Sequence, residues 1–306
     1  MTTLGINVVA DGSHPPEWVT SLGATSLRIV LTPQHDLEAY FQRCQADGVS
    51  ILGLIARESA PSDYQLADYS VRYGRYLTRV QYGNESDHES PSSWTMTPAE
   101  LSALGWQVKR AFRDHPLVCA GMVSGNPAYL DGVDLRMADA IAVHPYAKDL
   151  TRGNDLPDAD VLVSQYQRFG KPIVISEWGW WGDEEDGAER VGDMVRWAAS
   201  TDMIDSYYHF CLSDTMVPPF GLLRDDSTWK PAAYAFRDAA EQDSSPDVPW
   251  IGPGIQAELD RQGWTPTSGE HRTTWPVVWA KTASGIDAVI VWNEAEGAAV
   301  PYRRVR

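Results

Sequence analysis

The fold class the sequence predicts is α/β: a (β/α)8 TIM barrel with a small C-terminal α+β annex. Three observations predict it. Strand-like and helix-like runs alternate in eight successive units over residues 1–241. That span matches the ~250 residues typical of such barrels. The strand-like runs are short and rich in Val, Ile and Leu, as parallel strands covered on both faces should be. A doubly wound open sheet is the rival, but the sequence after the first strand has none of the Gly-rich phosphate turn that marks it.

The elements follow in order. Residues 4–9 read as the first strand and 15–22 as a short helix closed by Gly23; residues 25–31 are the second strand. Asp36 can cap a helix running to Asp47, with Gly48 as its stop. Residues 50–56 form the third strand, 64–76 a weaker helical stretch, and 77–82 the fourth strand, ending at Asn84-Glu85. Thr97-Pro98-Ala99-Glu100 is a capping box with proline at the first helical position, and Leu101, Leu104, Val108 and Phe112 recur behind it at helical spacing. Residues 116–123 and 138–143 are the fifth and sixth strands, the sixth stopping at His144-Pro145-Tyr146. A helix over 158–169 leads to the seventh strand, 172–176, which ends at Glu177. A helix over 187–200, the eighth strand at 203–210 and a last helix at 230–241 complete the barrel.

Beyond it, residues 242–254 have the composition of a linker, and 255–306 form the annex: a helix over 255–262 and two strands, 275–281 and 286–292, joined as a hairpin. About fifty residues are marginal alone, so the annex is expected to pack on the barrel.

Composition narrows the function. The 306 residues carry a net charge of −17, which argues against nucleic acid as a partner, because its binders present basic patches. No apolar run approaches the ~18 residues of a membrane span, so no membrane partner is expected. The three cysteines, Cys44, Cys119 and Cys211, have neither disulfide nor zinc spacing and read as buried thiols. The first residues lack the charged and apolar regions of a signal peptide. Cytoplasmic placement is therefore the expectation for this chain, with a longer secreted parent left open. No cofactor is implied, and oligomeric state is not legible. Thirteen Trp and thirteen Tyr stand against six Phe. Rings with an apolar face and a polar edge suit sugars, although core packing accounts for many of them equally well.

Catalytic residues of such barrels gather at the C-terminal ends of the strands. There the sequence puts Arg28 on strand two, Asn84-Glu85 after strand four and His144 and Tyr146 after strand six. Glu177-Trp178 follows strand seven, with Trp180 and Trp181 beyond, and His209 lies on strand eight. Two glutamates closing different strands are what glycoside hydrolysis needs, one as acid and the other as nucleophile or base.

On these residues the chain resembles the clan A glycoside hydrolases, the retaining superfamily that includes families 5 and 39. The resemblance rests on Gly83-Asn84-Glu85, His144-x-Tyr146 and Ser176-Glu177-Trp178, with Leu27-Arg28-Ile29 in support, and covers the barrel only. It implies Glu85 as acid/base, with a pKa raised toward neutrality, and Glu177 as nucleophile. It implies Asn84 on a sugar 2-hydroxyl, Arg28 and Tyr146 holding Glu177, and His144 orienting Glu85 or a sugar hydroxyl. The substrate would be an oligo- or polysaccharide with β linkages. Many clan members carry a Trp at the end of strand eight as a sugar platform; here the stretch is Tyr207-Tyr208-His209-Phe210-Cys211, so Trp178, Trp180 or Trp181 is expected to take that role. Two other readings stay open: a carbohydrate-binding barrel without catalysis, and a metal-dependent barrel enzyme that draws ligands from Glu85, Glu177, His144 and His209.

Overall fold

The computed structural model describes residues 2–56, 61–88, 95–123, 125–146, 156–182 and 184–242, together with four strands between 264 and 303. The strands of the first unit are β1 (Thr3–Asn7), β2 (Ser26–Val30), β3 (Ser50–Ile55), β4 (Arg79–Asn84), β5 (Leu117–Met122), β6 (Ala140–Val143), β7 (Ile173–Trp178) and β8 (Ile204–His209). Each pairs in parallel with the next, and β8 pairs with β1 through Thr3–Ser206 to Ile6–His209, closing the barrel. The helices between them are α1 (Pro16–Ser21), α2 (Glu38–Ala46), α3 (Asp63–Tyr73), α4 (Pro98–Ala111), α5 (Leu156–Ser164), α6 (Glu184–Ser200) and α7 (Pro231–Gln242). The chain is thus a (β/α)8 barrel, as its periodicity predicts.

Local chemistry explains the boundaries. The capping box at α4 forms as read: Thr97 Oγ1 accepts from Glu100 N, and Glu100 Oε2 accepts from Thr97 N at 2.7 Å. Ser62 and Gln65 build a second box at α3 that the sequence reading passes over. Asp36 caps α2 from one residue further out than a standard N-cap, its Oδ1 accepting from Glu38 N at 3.1 Å. The eight-unit pattern departs from the expectation once: between β5 and β6 the described residues hold a 3₁₀ turn, Pro127–Gly132, in place of an α-helix.

The barrel is filled from within by Leu52, Val118, Ala140, Ala142, Val174 and Tyr208. Gly5 has no side chain because the Tyr208 ring occupies that space, and the Tyr208 hydroxyl bonds Ser26 Oγ at 3.0 Å. The three cysteines are buried, and desolvation pushes their thiols up to about 12. Among the described residues, no helix is long and apolar enough to cross a membrane.

The chain divides into two compact units, Met1–Ala240 and Glu241–Arg306. The second contains a four-stranded antiparallel sheet, β9 (Trp264–Arg272), β10 (Trp275–Thr282), β11 (Asp287–Asn293) and β12 (Ala298–Arg303), in the order β12-β11-β10-β9. The hairpin read at residues 275–292 corresponds to β10 and β11; β9 and β12 flank it. Most of the linker stretch, and the helix read at 255–262, lie outside the described residues.

Candidate active site

Five strands, β1, β2, β4, β6 and β7, bring the polar residues together. Arg28 points inward from β2, is only 4% exposed, and has four acceptors. Its Nε donates to Gln81 Oε1 at 2.9 Å, Nη1 to Asn7 Oδ1 at 2.7 Å and to Glu177 Oε1 at 2.6 Å, and Nη2 to Asn84 Oδ1 at 2.8 Å. A buried guanidinium needs such a set, because leaving it or its carboxylate partner alone costs several kcal/mol. Asn7 in turn donates from Nδ2 to the carbonyls of Ser176 at 2.9 Å and His209 at 3.2 Å, tying β1 to β7 and β8.

Glu85 follows β4 in a left-handed conformation, φ 45°, just after Gly83 at φ 76°. This breaks the strand's alternation, so Asn84 and Glu85, though consecutive, both line the cavity. The Glu85 amide is anchored on the Gly121 carbonyl at 2.8 Å. A register shift after Ile175 does the same on β7, where Ser176 and Glu177 both approach His144. The His144 ring is fully buried: Nδ1 lies 3.1 Å from Glu85 Oε1, and Nε2 lies 2.9 Å from Ser176 Oγ and 3.7 Å from Glu177 Oε1. One oxygen each of Glu85 and Glu177 and one ring nitrogen of His144 all fall within 4.8 Å of one another.

These groups open onto a cavity of about 420 Å³ lined by Asn7, Arg28, Asn84, Glu85, Tyr146 and Glu177 on its polar part. Val8, Ile29, Val30 and Leu54 at the ends of β1–β3, and Phe210, Met216, Val217 and Phe220 after β8, supply the apolar wall. Tyr146 meets His144 and Phe220 edge-on, its ring centroid 6.3 Å from each. Burial, reinforced by the negative charges of Glu177 and Glu85, holds its phenol well above the ordinary range, so it stays protonated.

The Glu85 carboxyl departs from the sequence expectation. Burial pushes its pKa up, but the hydrogen bond and charge of His144, with the charges of His88 and Arg28, outweigh burial and leave it below the ordinary carboxylate value rather than raised. The histidine partner and the nearby charges are tertiary neighbours that strand order does not reveal.

Of the residues read as substrate contacts, Arg28, Asn84 and Tyr146 line the cavity, with His144 directly behind Glu85. Trp178 and His209 do not line it. Each is 1% exposed, the two rings stack edge-to-face at 6.4 Å, and His209 packs on Phe236 of α7; they lie between barrel and helix layer because their strands turn them outward. Burial drops the His209 imidazole to about 3, so it is neutral there. Trp180 is half-buried under the Arg190 guanidinium, 5.4 Å from its ring. Trp181 reaches the cavity wall only indirectly, stacked on Phe220 at 6.5 Å and 17°. Among the described residues, the aromatic side chains that line the cavity besides Tyr146 are therefore Phe210 and Phe220. Sequence reading missed both, together with Asn7 and Gln81; position at a strand end was the available signal for Asn7 and Phe210.

The Glu85–His144–Glu177 convergence has the donors for a divalent ion. Arg28 Nη1, 2.6 Å from Glu177 Oε1, already balances that carboxylate and would repel a cation beside it. The donors do not suit a resident metal.

No protein-family model and no curated protein matches the chain. Solved structures do. A GH128 (subgroup I) endo-β-1,3-glucanase from Amycolatopsis mediterranei, in complex with laminaritriose, is 19% identical with a TM-score of 0.60, over 78% of this chain and 100% of that one. GH5_18 from Streptomyces cattleya, in complex with GlcNAc, is 14% identical with a TM-score of 0.65, over 80% of this chain and 81% of that one. A GH30 endoxylanase from Clostridium papyrosolvens C71 is 15% identical with a TM-score of 0.57, over 96% of this chain and 81% of that one. The chain shares with these glycoside hydrolases the (β/α)8 barrel fold.

Proposed function

We propose that the protein is a retaining glycoside hydrolase that cleaves a β-linked glycan by double displacement. The observation that carries this reading is the pair of carboxylates, Glu85 and Glu177, whose oxygens approach within 4.8 Å at the mouth of the barrel. Separations near 5–5.5 Å go with retention, whereas inverting pairs stand ~6.5–9.5 Å apart to admit a water between them. Their environments also differ. Arg28 Nη1 donates to Glu177 Oε1 at 2.6 Å and fixes where that oxygen lies. Glu85 faces the two-nitrogen ring of His144, a partner through which a proton can be shared.

In the first step Glu177 attacks the anomeric carbon while Glu85 protonates the departing glycosidic oxygen. In the second, Glu85 takes a proton from water, whose oxygen displaces Glu177 from the sugar. Asn84, its carbonyl oxygen held by Arg28, lines the cavity and offers its amide group to the 2-hydroxyl, a contact that strengthens as positive charge develops on the ring. The fold neighbours solved with β-1,3-glucan fragments and GlcNAc, and the endoxylanase among them, support a β-glycan substrate.

Intact-protein mass after incubation with activated 2-deoxy-2-fluoro β-glycosides tests the reading. The expected result is a sugar-sized adduct on the native chain and none on Glu177→Gln. Turnover that a chelator abolishes, with no adduct from any sugar, would overturn it in favour of a metal-dependent enzyme.

A further inference from the structure

We propose that Trp181 is a sugar-binding platform just outside the cavity, so that the substrate is a glycan chain rather than a simple monoglycoside. The proposal rests on the glycosidase reading and names the substrate class of that same site.

Of the tryptophans at the end of β7, two are used for packing. Trp178 is 1% exposed and meets His209 edge-on. Trp180 is pressed against two glycines. A Cβ at Gly182 would stand 2.6 Å from its Cζ2, and one at Gly187 2.8 Å from its Cδ1. The Arg190 guanidinium covers its ring at 5.4 Å. Trp181 differs from both, because 36% of it is exposed. A single exposed apolar side chain is ordinary in itself. The place and the support of this one set it apart.

The Trp181 ring stacks on Phe220, with 6.5 Å between centroids and 17° between planes. Phe220 lines the cavity and meets Tyr146 and Phe210 edge-on at 6.3 and 5.7 Å. Phe220 is therefore a shared ring. It closes the cavity with Tyr146 and Phe210, and it backs Trp181, which lies beyond the lining. Near-parallel rings at that separation are offset rather than eclipsed. Trp181 thus repeats the orientation of Phe220 one step outside the cavity.

The pair is held in place before any ligand arrives. A Cβ at Gly179 would overlap the Phe210 carbonyl oxygen, so the bare backbone after Glu177 lies against the end of β8. The Phe210 amide donates to the Trp178 carbonyl at 2.7 Å. On the other side of the pair, Arg224 Nη2 donates to Glu184 Oε2 at 2.5 Å. The two segments that carry Trp181 and Phe220 are tied together before and after the rings. A preorganised aromatic ring gives up little conformational entropy on binding.

The chemistry selects the occupant. A β-linked pyranose presents C–H bonds on its faces and hydroxyls around its edge. Its faces suit an aromatic ring, and its edge stays wet at an open site. The cavity takes the sugar whose bond is cleaved, and Trp181 takes a neighbour in the same chain. An apolar aglycone would have no use for two near-parallel rings in succession; a run of flat sugars does.

Calorimetric binding to the full-length Glu177→Gln chain is the test. The probes are hexasaccharides of β-1,3-glucose, β-1,4-glucose and β-1,4-xylose. At least one should bind, and Trp181→Ala in the same background should weaken it by about tenfold, the scale of one aromatic face contact. Trp181→Phe keeps a flat ring on Phe220 and should recover most of the loss. With Glu177 intact, Trp181→Ala should raise KM for that hexasaccharide about tenfold more than for the aryl monoglycoside of the same sugar, with kcat nearly constant. Failure of every hexasaccharide to bind, or binding indifferent to Trp181→Ala, overturns the proposal. An equal loss on hexasaccharide and monoglycoside means a merely structural role and also overturns it. A loss confined to octyl glycosides would assign the ring to an apolar aglycone and overturn it too. Should the native chain hydrolyse no glycoside while Trp181→Ala still weakens hexasaccharide binding, the glycosidase reading fails and the platform stands.

Discussion

Arg28 serves four acceptors at once, three of which stand on other strands at the mouth of the barrel: Asn7, Asn84 and Glu177. Arg28→Met should cost about 3–5 kcal/mol in urea unfolding, because it leaves the buried Glu177 carboxylate and three buried amide oxygens without their donor. Arg28→Lys should recover little of this, since an ammonium cannot fork to four partners. At Glu85 the sign of the pKa shift gives a pH prediction. Its folded-state pKa lies below the ordinary value, so its contribution to stability is present above that ordinary value and is lost as pH falls through the lowered one. If Glu85 is the general acid we propose, it loses its proton early, which puts the alkaline limb of kcat/KM for poor leaving groups on the acid side of neutrality. His144→Gln removes the strongest lowering influence and leaves burial, so that limb should move to higher pH. A pH–rate profile that stays in place would show that Glu85 is not the acid.

Among the elements, β4 and β7 bear most on the site, and they also limit what sequence reading can reach. Strand alternation would put consecutive side chains on opposite faces. Gly83 and Glu85 in left-handed conformations, and the register shift on β7, let Asn84–Glu85 and Ser176–Glu177 act as pairs. The same shift sends Trp178 outward, which is why a Trp beside a site carboxylate proved to be packing against His209. The segment after β8 is held from within. Lys230 Nζ donates to Asp214 Oδ1 at 2.7 Å and to the Pro219 carbonyl at 2.9 Å, and Asp214 Oδ1 also accepts from Gly221 N at 2.9 Å. This buried tie supports the stretch that presents Met216, Val217 and Phe220 to the cavity. Lys230→Met should lower stability by about 3 kcal/mol, the low end for a broken buried pair, and should raise KM more than it lowers kcat. Phe220→Ala should raise KM alone, by roughly tenfold if the ring gives ~1–1.5 kcal/mol of face contact to a sugar. A fall in kcat with KM unchanged would remove the wall from substrate binding.

On the scale of the whole molecule, the barrel closes on itself through β8 and β1 and carries its own core. A chain cut after Gln242 should therefore fold cooperatively, since a unit that buries its apolar faces internally is self-sufficient. Circular dichroism melting checks the fold, and the fluoroglycoside adduct checks the site. A truncated chain that aggregates or melts without a transition would mean that the barrel depends on the second unit. Chelation should leave both the melt and any glycosidase activity unchanged, because Arg28 already balances the Glu177 carboxylate.

The sequence by itself determined the barrel, because periodicity, short apolar runs and capping signals are local and each strand–helix unit repeats them. It also determined which strand ends carry Arg28, Asn84, Glu85, His144, Tyr146 and Glu177, because strand order maps directly onto position around a barrel mouth. Only the tertiary structure decided which of these side chains face the cavity, that among the described residues Phe210 and Phe220 rather than tryptophans join Tyr146 in its lining, and that the Glu85 pKa falls. Those outcomes depend on strand-end irregularities of a single residue and on charges and rings brought together from distant strands. Distances across the barrel, unlike order around it, leave no trace in local pattern.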